Sequence, residues 1–489
     1  MSLEEGHVSG ENSSESSQTK LLEGSEERGT SELGGRLAGL SLGRQVFALA
    51  LWPFLEQVLA FVTGATDLVL AGRMGTEAEV APLLEALAIA GYVGWLVFIV
   101  QGAISTGATA LISRATGARD PRLANRVLAQ AGLLSVILGA AFGLVLALSA
   151  EFLAAGIFGL EAAAVRAAVD YLHVFAISAP FSGIVLCLNA SLRGAGDTVT
   201  PFRVMVVVNV LNVILSVTFS FWLNMGVTGL ALGTVIGWAA GAALVIFLLQ
   251  RKTQGEDVVG ELMFKLRRLK PDCALSWRVL RIGLPTALEI GGLWAIQVAI
   301  GRHIASLPME GALGAHMMAI RLESMSFLPG FAVGAAAATL AGQYLGAGNP
   351  ERAKEAVAYC WRVGLILMSA LGLSLIIFAE GWARLIAPDA PELVEMAVPL
   401  IRIGGAIQLP MATAIILATA LRGAGATRTV LVWGLGSQFF WRVCVMWLLI
   451  ETVGLSMVQV WLIVSLDMCW RGAVFSWLFK RGAWLNQKV

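Results

Sequence analysis

Charge is scarce in this sequence. Asp, Glu, Lys and Arg make up 14% of its 489 residues, against about 25% in a soluble domain. With 57% of the chain hydrophobic, that shortage leaves too little polar surface for a water-soluble globule and implies an integral membrane protein. Histidine (4) and cysteine (5) are sparse too. Cys187, Cys360, Cys444 and Cys469 lie in apolar runs and Cys273 in a polar loop, with no CxxC or Cys/His spacing. Neither a disulfide framework nor a metal site is expected. His173 and His303 lie in or near apolar runs, and neither has an evident nucleophile partner. A lipid-modifying membrane enzyme is thereby disfavoured: no catalytic residues and no cofactor are expected. The ten-residue alternation of membrane barrel strands is missing as well.

The first forty residues are of another kind. Glu4, Glu5, Glu11, Glu15, Glu23, Glu26, Glu27 and Glu32 outnumber Lys20, Arg28 and Arg36 among Ser and Gly, which reads as a disordered acidic tail over residues 1–40. The basic start and immediate apolar core of a secretory signal are not there, so the first membrane helix is expected to act as its own insertion signal.

What the sequence has is long apolar runs. They fall near 44–70, 82–111, 127–150, 165–190, 202–223, 227–250, 279–305, 312–341, 356–379, 393–420, 429–450 and 455–479, each near the roughly 20 residues that cross a bilayer core as a helix. The expected fold is an all-α integral membrane protein of twelve transmembrane helices. Leu192-Arg193-Gly194-Ala195-Gly196 recurs as Leu421-Arg422-Gly423-Ala424-Gly425, and Arg422 stands 229 positions after Arg193. The same offset carries Gly72-Arg73 onto Gly301-Arg302 and Asp120-Pro121 onto Asn349-Pro350. A period of that length marks two homologous halves rather than a solenoid. Six spans per half is an even number, so the halves are parallel repeats. The expected organisation is an N-lobe over 41–250, a linker over 251–276 and a C-lobe with a short tail over 277–489.

The basic residues give the orientation. Arg114, Arg119, Arg122 and Arg126 follow the second span; Arg251, Lys252, Lys265, Arg267, Arg268, Lys270 and Arg278 lie between the halves; Lys480, Arg481 and Lys488 close the chain. All are on one side, expected to be cytoplasmic, which puts both termini there. Phe264, Leu266 and Leu269, spaced among the basic residues of the linker, suit either an interfacial helix against anionic lipid or a solvated linker; no nucleic-acid partner is expected. Pro53, Pro180, Pro285, Pro329 and Pro410 interrupt spans and can kink them, with Pro180 and Pro410 at near-equivalent places in the two halves.

Three stretches together resemble the multidrug and toxic compound extrusion (MATE) family, in its bacterial branch. They are Thr66-Asp67 followed by Ala71-Gly72-Arg73-Met74-Gly75, the two Leu-Arg-Gly turns, and Arg321 to Gly330 leading into Gly342-Gln343-Tyr344-Leu345-Gly346-Ala347-Gly348-Asn349-Pro350. The resemblance runs from about Arg44 to Lys480. It implies a multi-pass inner-membrane efflux pump, a monomer with two six-helix lobes around a cleft, driven by inward H+ or Na+ and exporting amphiphilic, often cationic, drug-like molecules. The competing reading is a flippase for a lipid-linked precursor, whose cavity is usually lined by several Arg or Lys.

A charge at mid-membrane costs at least about 2.5 kcal/mol, so every ionisable residue inside a span is a candidate site: Glu56, Asp67, Glu289, Arg321, Glu323, Arg402, Arg442 and Asp467. Asp67 matches the acidic residue that the family uses for cation coupling. Asn209 and Asn212 lie one turn apart on the fifth span; Asn212 matches a family asparagine, and Thr234 stands where a family threonine joins it. Ser216 replaces an aspartate found in many members, which favours a single carboxylate and H+ over Na+. In the second half the offset takes Asn209 to Gln438, Asn212 to Trp441 and Ser216 to Val445, so the polar cluster is not expected to recur there. Glu289 is a near match to a coupling carboxylate of another branch and a candidate for binding a cationic substrate, and Trp294 and Trp441 could offer ring faces to it. Glu323 is expected in a structural ion pair with a neighbouring helix. Arg193 and Arg422 are expected at helix ends, where a cation complements the dipole.

Overall fold

The computed structural model describes residues 33–71, 77–251, 262–263 and 270–487. The first lobe contains α1 (Leu42–Ala71), α2 (Glu77–Gly117), α3 (Pro121–Glu151), α4 (Ala162–Ala176), α5 (Ser178–Gly194), α6 (Val199–Val217) and α7 (Gly226–Arg251). The second contains α8 (Cys273–Ala305), α9 (Ala312–Gly346), α10 (Pro350–Ile377), the short α11 (Ala379–Ile386), α12 (Pro391–Ala406), α13 (Gln408–Gly423), α14 (Thr427–Gln438), α15 (Met446–Val453) and α16 (Met457–Arg481). Among the described residues three π-helical stretches are present: Phe152–Ile157, Thr218–Trp222 and Phe439–Val445.

Among the described residues ten helices are long and apolar enough to cross a membrane alone, and two bent pairs bring the number up to twelve if each is one span. The bent pairs are α4 with α5, at 50°, and α12 with α13, at 52°. Both breaks have the same cause. Pro180 and Pro410 each come three residues after the break, at Ile177 and Ile407, where the missing N–H and the ring's clash with the preceding turn end a straight helix.

The helix ends repeat as well. Asp120 accepts a hydrogen bond from the Leu123 amide at 2.9 Å ahead of Pro121, and its counterpart Asn349 accepts from the Arg352 amide at 3.0 Å ahead of Pro350. Each cap satisfies an amide that the first turn leaves without a partner. The Leu-Arg-Gly-Ala-Gly turns close identically: Gly196 and Gly425 have φ of 93° and 91°, a left-handed conformation that favours glycine. The amides of Asp197 and Ala426 return to Leu192 and Leu421 at 2.9 Å in each turn.

Antiparallel helix pairs join the lobes. α2 runs against α8: an ideal Cβ on Gly283 would stand 1.7 Å from the Ala103 carbonyl, and one on Gly107 2.1 Å from that of Val279. Farther along, Tyr92 meets Trp294 edge to face at 6.0 Å. α1 runs against α9, where Tyr344 donates to Gln45 at 2.9 Å and Gln57 to the Leu328 carbonyl at 3.4 Å. Beyond Gln57, one face of α1 is uncovered, with Val58 37% and Val62 54% exposed, while Leu70 packs against the first lobe's core.

Two boundaries differ from expectation. Residues 33–40, expected within a disordered tail, dock instead. Leu33 and Leu37 are buried in the second lobe's core cluster, Arg36 pairs with the buried Asp197 of the first lobe at 2.7 Å, and Gln45 donates to the Leu40 carbonyl at 3.0 Å. Scattered leucines in a polar stretch give no periodic signal, which is why composition masked this segment. Within the expected linker, Phe264, Leu266 and Leu269 lie outside the described residues. Leu262 and Met263 are buried, and the Met263 amide donates to Asn125 at 2.8 Å. α8 begins at Cys273 under an Asp272 cap that accepts from Leu275 at 3.0 Å.

Candidate functional site

In the first lobe the site is set by how closely α6 and α7 approach. An ideal Cβ on Gly233 would lie 2.5 Å from the Ser216 hydroxyl, and one on Gly237 2.9 Å from the Val208 carbonyl. Only glycine admits that crossing, and it brings Thr234 against Asn212, whose amide donates to the threonine hydroxyl at 2.9 Å. Thr234 in turn donates to the Leu230 carbonyl at 3.0 Å. The Asn212 carbonyl oxygen and the Ser216 hydroxyl, one turn apart and both buried, have no partner among the described residues. Asn209 turns back on its own helix, donating to the Met205 carbonyl at 2.7 Å. Of the expected coupling residues, Asn212 and Thr234 are therefore in contact and Asn209 is beside them. Asp67 is on the backbone of α1, and its side chain lies outside the described residues.

In the second lobe Glu289 is held by Arg422, whose Nη2 reaches the two carboxylate oxygens at 2.8 and 2.9 Å. An ideal Cβ on Gly434 would be 2.6 Å from the same carboxylate, so α14 closes over it. The first lobe has the same device: Arg193 Nη1 reaches both oxygens of Glu56 at 2.9 and 3.1 Å. The two turn arginines thus bind the first helix of their own lobe, beyond the helix-end role read from the sequence. The pairing was hidden by register. Arg422 follows Arg193 by 229 positions, whereas Glu289 follows Glu56 by 233, a displacement of about one helical turn.

Trp294 meets Tyr92 of the other lobe, and Trp441 packs on Phe440 with centroids 5.3 Å apart. Glu323, expected in an ion pair, makes none among the described residues although it is only 9% exposed; it faces Gly404 and Trp461. Arg321 and Arg402 are exposed. The helices of the second lobe equivalent to α6 and α7 do hold a polar cluster, contrary to expectation: Ser437, Gln438 and Arg442, with Asp467 and Arg471 on α16. Three of its members, Arg442, Asp467 and Arg471, are charged, and Arg442 stands one place past the residue that the offset selects. No group of three His, Cys, Asp or Glu capable of holding a metal occurs among the described residues.

This all-helical, duplicated arrangement, with its interior polar groups divided between two lobes, suits a membrane transporter. The chain belongs to the MATE family: the MatE family model matches residues 53–218 and 285–448, one stretch in each lobe. Among curated relatives, the probable multidrug resistance protein NorM of Thermotoga maritima is 27% identical, over 91% of this chain and 94% of its own. An FAD transporter of Shewanella oneidensis is 25% identical, over 79% of this chain and 83% of its own. A solved structure described as the outward-facing conformation of a multidrug resistance MATE family transporter of the MOP superfamily superposes with a TM-score of 0.83 at 20% identity. It covers 92% of this chain and 98% of that one.

Proposed function

We propose that the protein is a cation-coupled secondary antiporter, with H+ favoured over Na+, that exports amphiphilic or cationic drug-like molecules and toxic metabolites by alternating access. It works as a monomer in the inner membrane with both termini cytoplasmic. The multidrug resistance names of its relatives support the substrate class. The observation that carries the coupling reading is the Asn212–Thr234 contact, which leaves the Asn212 carbonyl oxygen and the Ser216 hydroxyl buried and without a partner among the described residues. Buried acceptors without donors are costly, and a proton-carrying or cation-bound group relieves them. Asp67 is the carboxylate assigned to bring the proton, with Asn209, Asn212 and Thr234 as its polar surroundings. Ser216 supplies no second carboxylate to build a more highly charged Na+ site. A ligand biases two conformations only by its different affinity for each; proton loading at one carboxylate, exposed to a different side in each state, meets that condition.

Substrate contact is assigned to Trp294 and Trp441, whose rings suit a cation or an aromatic body. Glu289 enters the substrate reading only if Arg422 releases it. The test is wild-type protein in proteoliposomes with rhodamine 6G and an imposed gradient of either pH or Na+. Dye movement driven by the pH gradient and not by Na+ alone is expected. Movement driven by Na+ at equal pH on both sides overturns the proton assignment.

A further inference from the structure

The second lobe contains charge that the coupling reading does not use. Asp467 on α16 is fully buried and takes three partners: Arg442 Nε at 2.7 Å, Arg471 Nη2 at 3.0 Å and the Ser437 hydroxyl. Two guanidinium groups therefore share one carboxylate. Arg442 Nη1 finds only the neutral Gln297 amide oxygen, at 3.2 Å. Arg442 Nη2 and Arg471 Nε are buried and donate to nothing among the described residues, and the Gln438 carbonyl oxygen likewise accepts nothing there. The side chains of Arg442 and Arg471 are 2% and 11% exposed.

The neighbouring carboxylates match these arginines in number but leave their free N–H groups unmet. Glu289 is engaged by Arg422. Glu323 on α9 lies outside ion-pair distance of every described cation, although Arg442 is near enough to attract it. The π-helical stretch Phe439–Val445 accounts for the position of Arg442. It shifts the register, so the inward place that Asn212 holds in the first lobe passes from Trp441 to Arg442, and such irregular turns concentrate at functional sites.

A buried guanidinium with unmet N–H groups is costly, and its planar fork matches the oxygens of a carboxylate or phosphate. We propose that Arg442 and Arg471 form a binding site for an anionic group, carboxylate or phosphate, carried by an amphiphilic substrate. The second lobe then selects for negative charge, whereas the first lobe handles the coupling cation. The proposal rests on the export reading only for its transport arm; its binding arm is independent.

The experiment uses the full-length protein in nanodiscs of neutral phosphatidylcholine, which removes anionic lipid as a source of the group. Fluorescence anisotropy follows three probes: carboxyfluorescein for a carboxylate, flavin mononucleotide for a phosphate, and rhodamine 6G as the cationic analogue of the first. Saturable binding of at least one anionic probe is expected. Arg471→Gln leaves Asp467 paired one to one with Arg442, so it removes one guanidinium without orphaning the carboxylate. It should weaken anion binding by about ten-fold and leave rhodamine 6G unchanged. Glu323→Gln removes a competing negative charge and should tighten anion binding by about three-fold. Should Arg471→Gln fail to fold, Arg442→Lys, which keeps the charge and loses the fork, should still weaken the anion. The proposal is overturned if neither anion binds the wild type, or if the arginine variants bind anions as the wild type does. If rhodamine 6G is still exported under a gradient in that case, the export reading stands and the anion site alone fails.

Discussion

Gly346 presses on the Arg114 carbonyl, and Gly117 on the carbonyl of Gln343: ideal Cβ atoms would stand 2.1 and 1.9 Å away. Gly117 and Gly346, like Arg114 and Gln343, are 229 positions apart. The contact is thus reciprocal about the repeat axis and joins α2 to α9 at the end of the bundle where the Leu-Arg-Gly turns lie. Gly117→Val or Gly346→Val should force the lobes apart there, at about 1–3 kcal/mol for overpacking. Spin labels placed across the junction, one in each lobe, should report a longer distance in either variant. An unchanged distance distribution would mean that the crossing is not tight.

Each turn arginine holds a glutamate of its own lobe, and the pairs are largely buried. Glu289→Gln strands the Arg422 charge and should lower stability by about 3–5 kcal/mol, whereas Glu289→Gln combined with Arg422→Met should recover most of that loss. Thermal melting of the purified variants checks this. A single variant melting like the wild type, or a double variant worse than either single one, would count against a structural pair.

The docked segment over residues 33–40 should matter to the fold. Leu37 is 2% exposed and Arg36 pairs with Asp197 across to the first lobe. Leu37→Ala should cost about 2–5 kcal/mol, and deleting residues 2–38 should lower the melting temperature, while deleting residues 2–30 should not. Equal melting of the two deletions would show that the docking contributes nothing.

Asp272 provides a pH signature. The Leu275 amide that it caps, and then Arg126 at 2.7 Å, hold its carboxyl below the ordinary carboxylate value. A lowered folded-state value stabilises the protein above the unfolded carboxylate pKa, and that contribution is lost as pH falls through the folded value. Asp272→Ala should therefore be less stable than the wild type at neutral pH, with the gap closing below about pH 4. A gap that is constant across the range would contradict a charged cap.

The repeat, the span count and the two broken helices were legible in the sequence because each has a local cause. Apolar length, a proline at Pro180 and Pro410, and a glycine turn each act within one or two helical turns. Ion pairing between helices was not legible. Glu56 and Glu289 are displaced by about one helical turn relative to their arginines, and Arg442 is displaced by one residue through a π-helical stretch, so a constant offset misses all of them. Arg471 was not a candidate at all, lying near the end of the last apolar run. Leu33 and Leu37 were hidden by the acidic composition around them, since burial of two leucines needs a groove that only the assembled lobes create.

The central claim is that Asp67 carries the coupling proton beside Asn212 and Thr234, and one comparison tests it most directly. Wild type and Asp67→Asn are reconstituted in proteoliposomes, with rhodamine 6G binding and dye transport under an imposed pH gradient measured on the same preparations. Asparagine imitates the protonated carboxyl and cannot release it. The variant should bind the dye as the wild type does and show no gradient-driven transport. Transport at the wild-type rate by Asp67→Asn under the pH gradient would contradict the account.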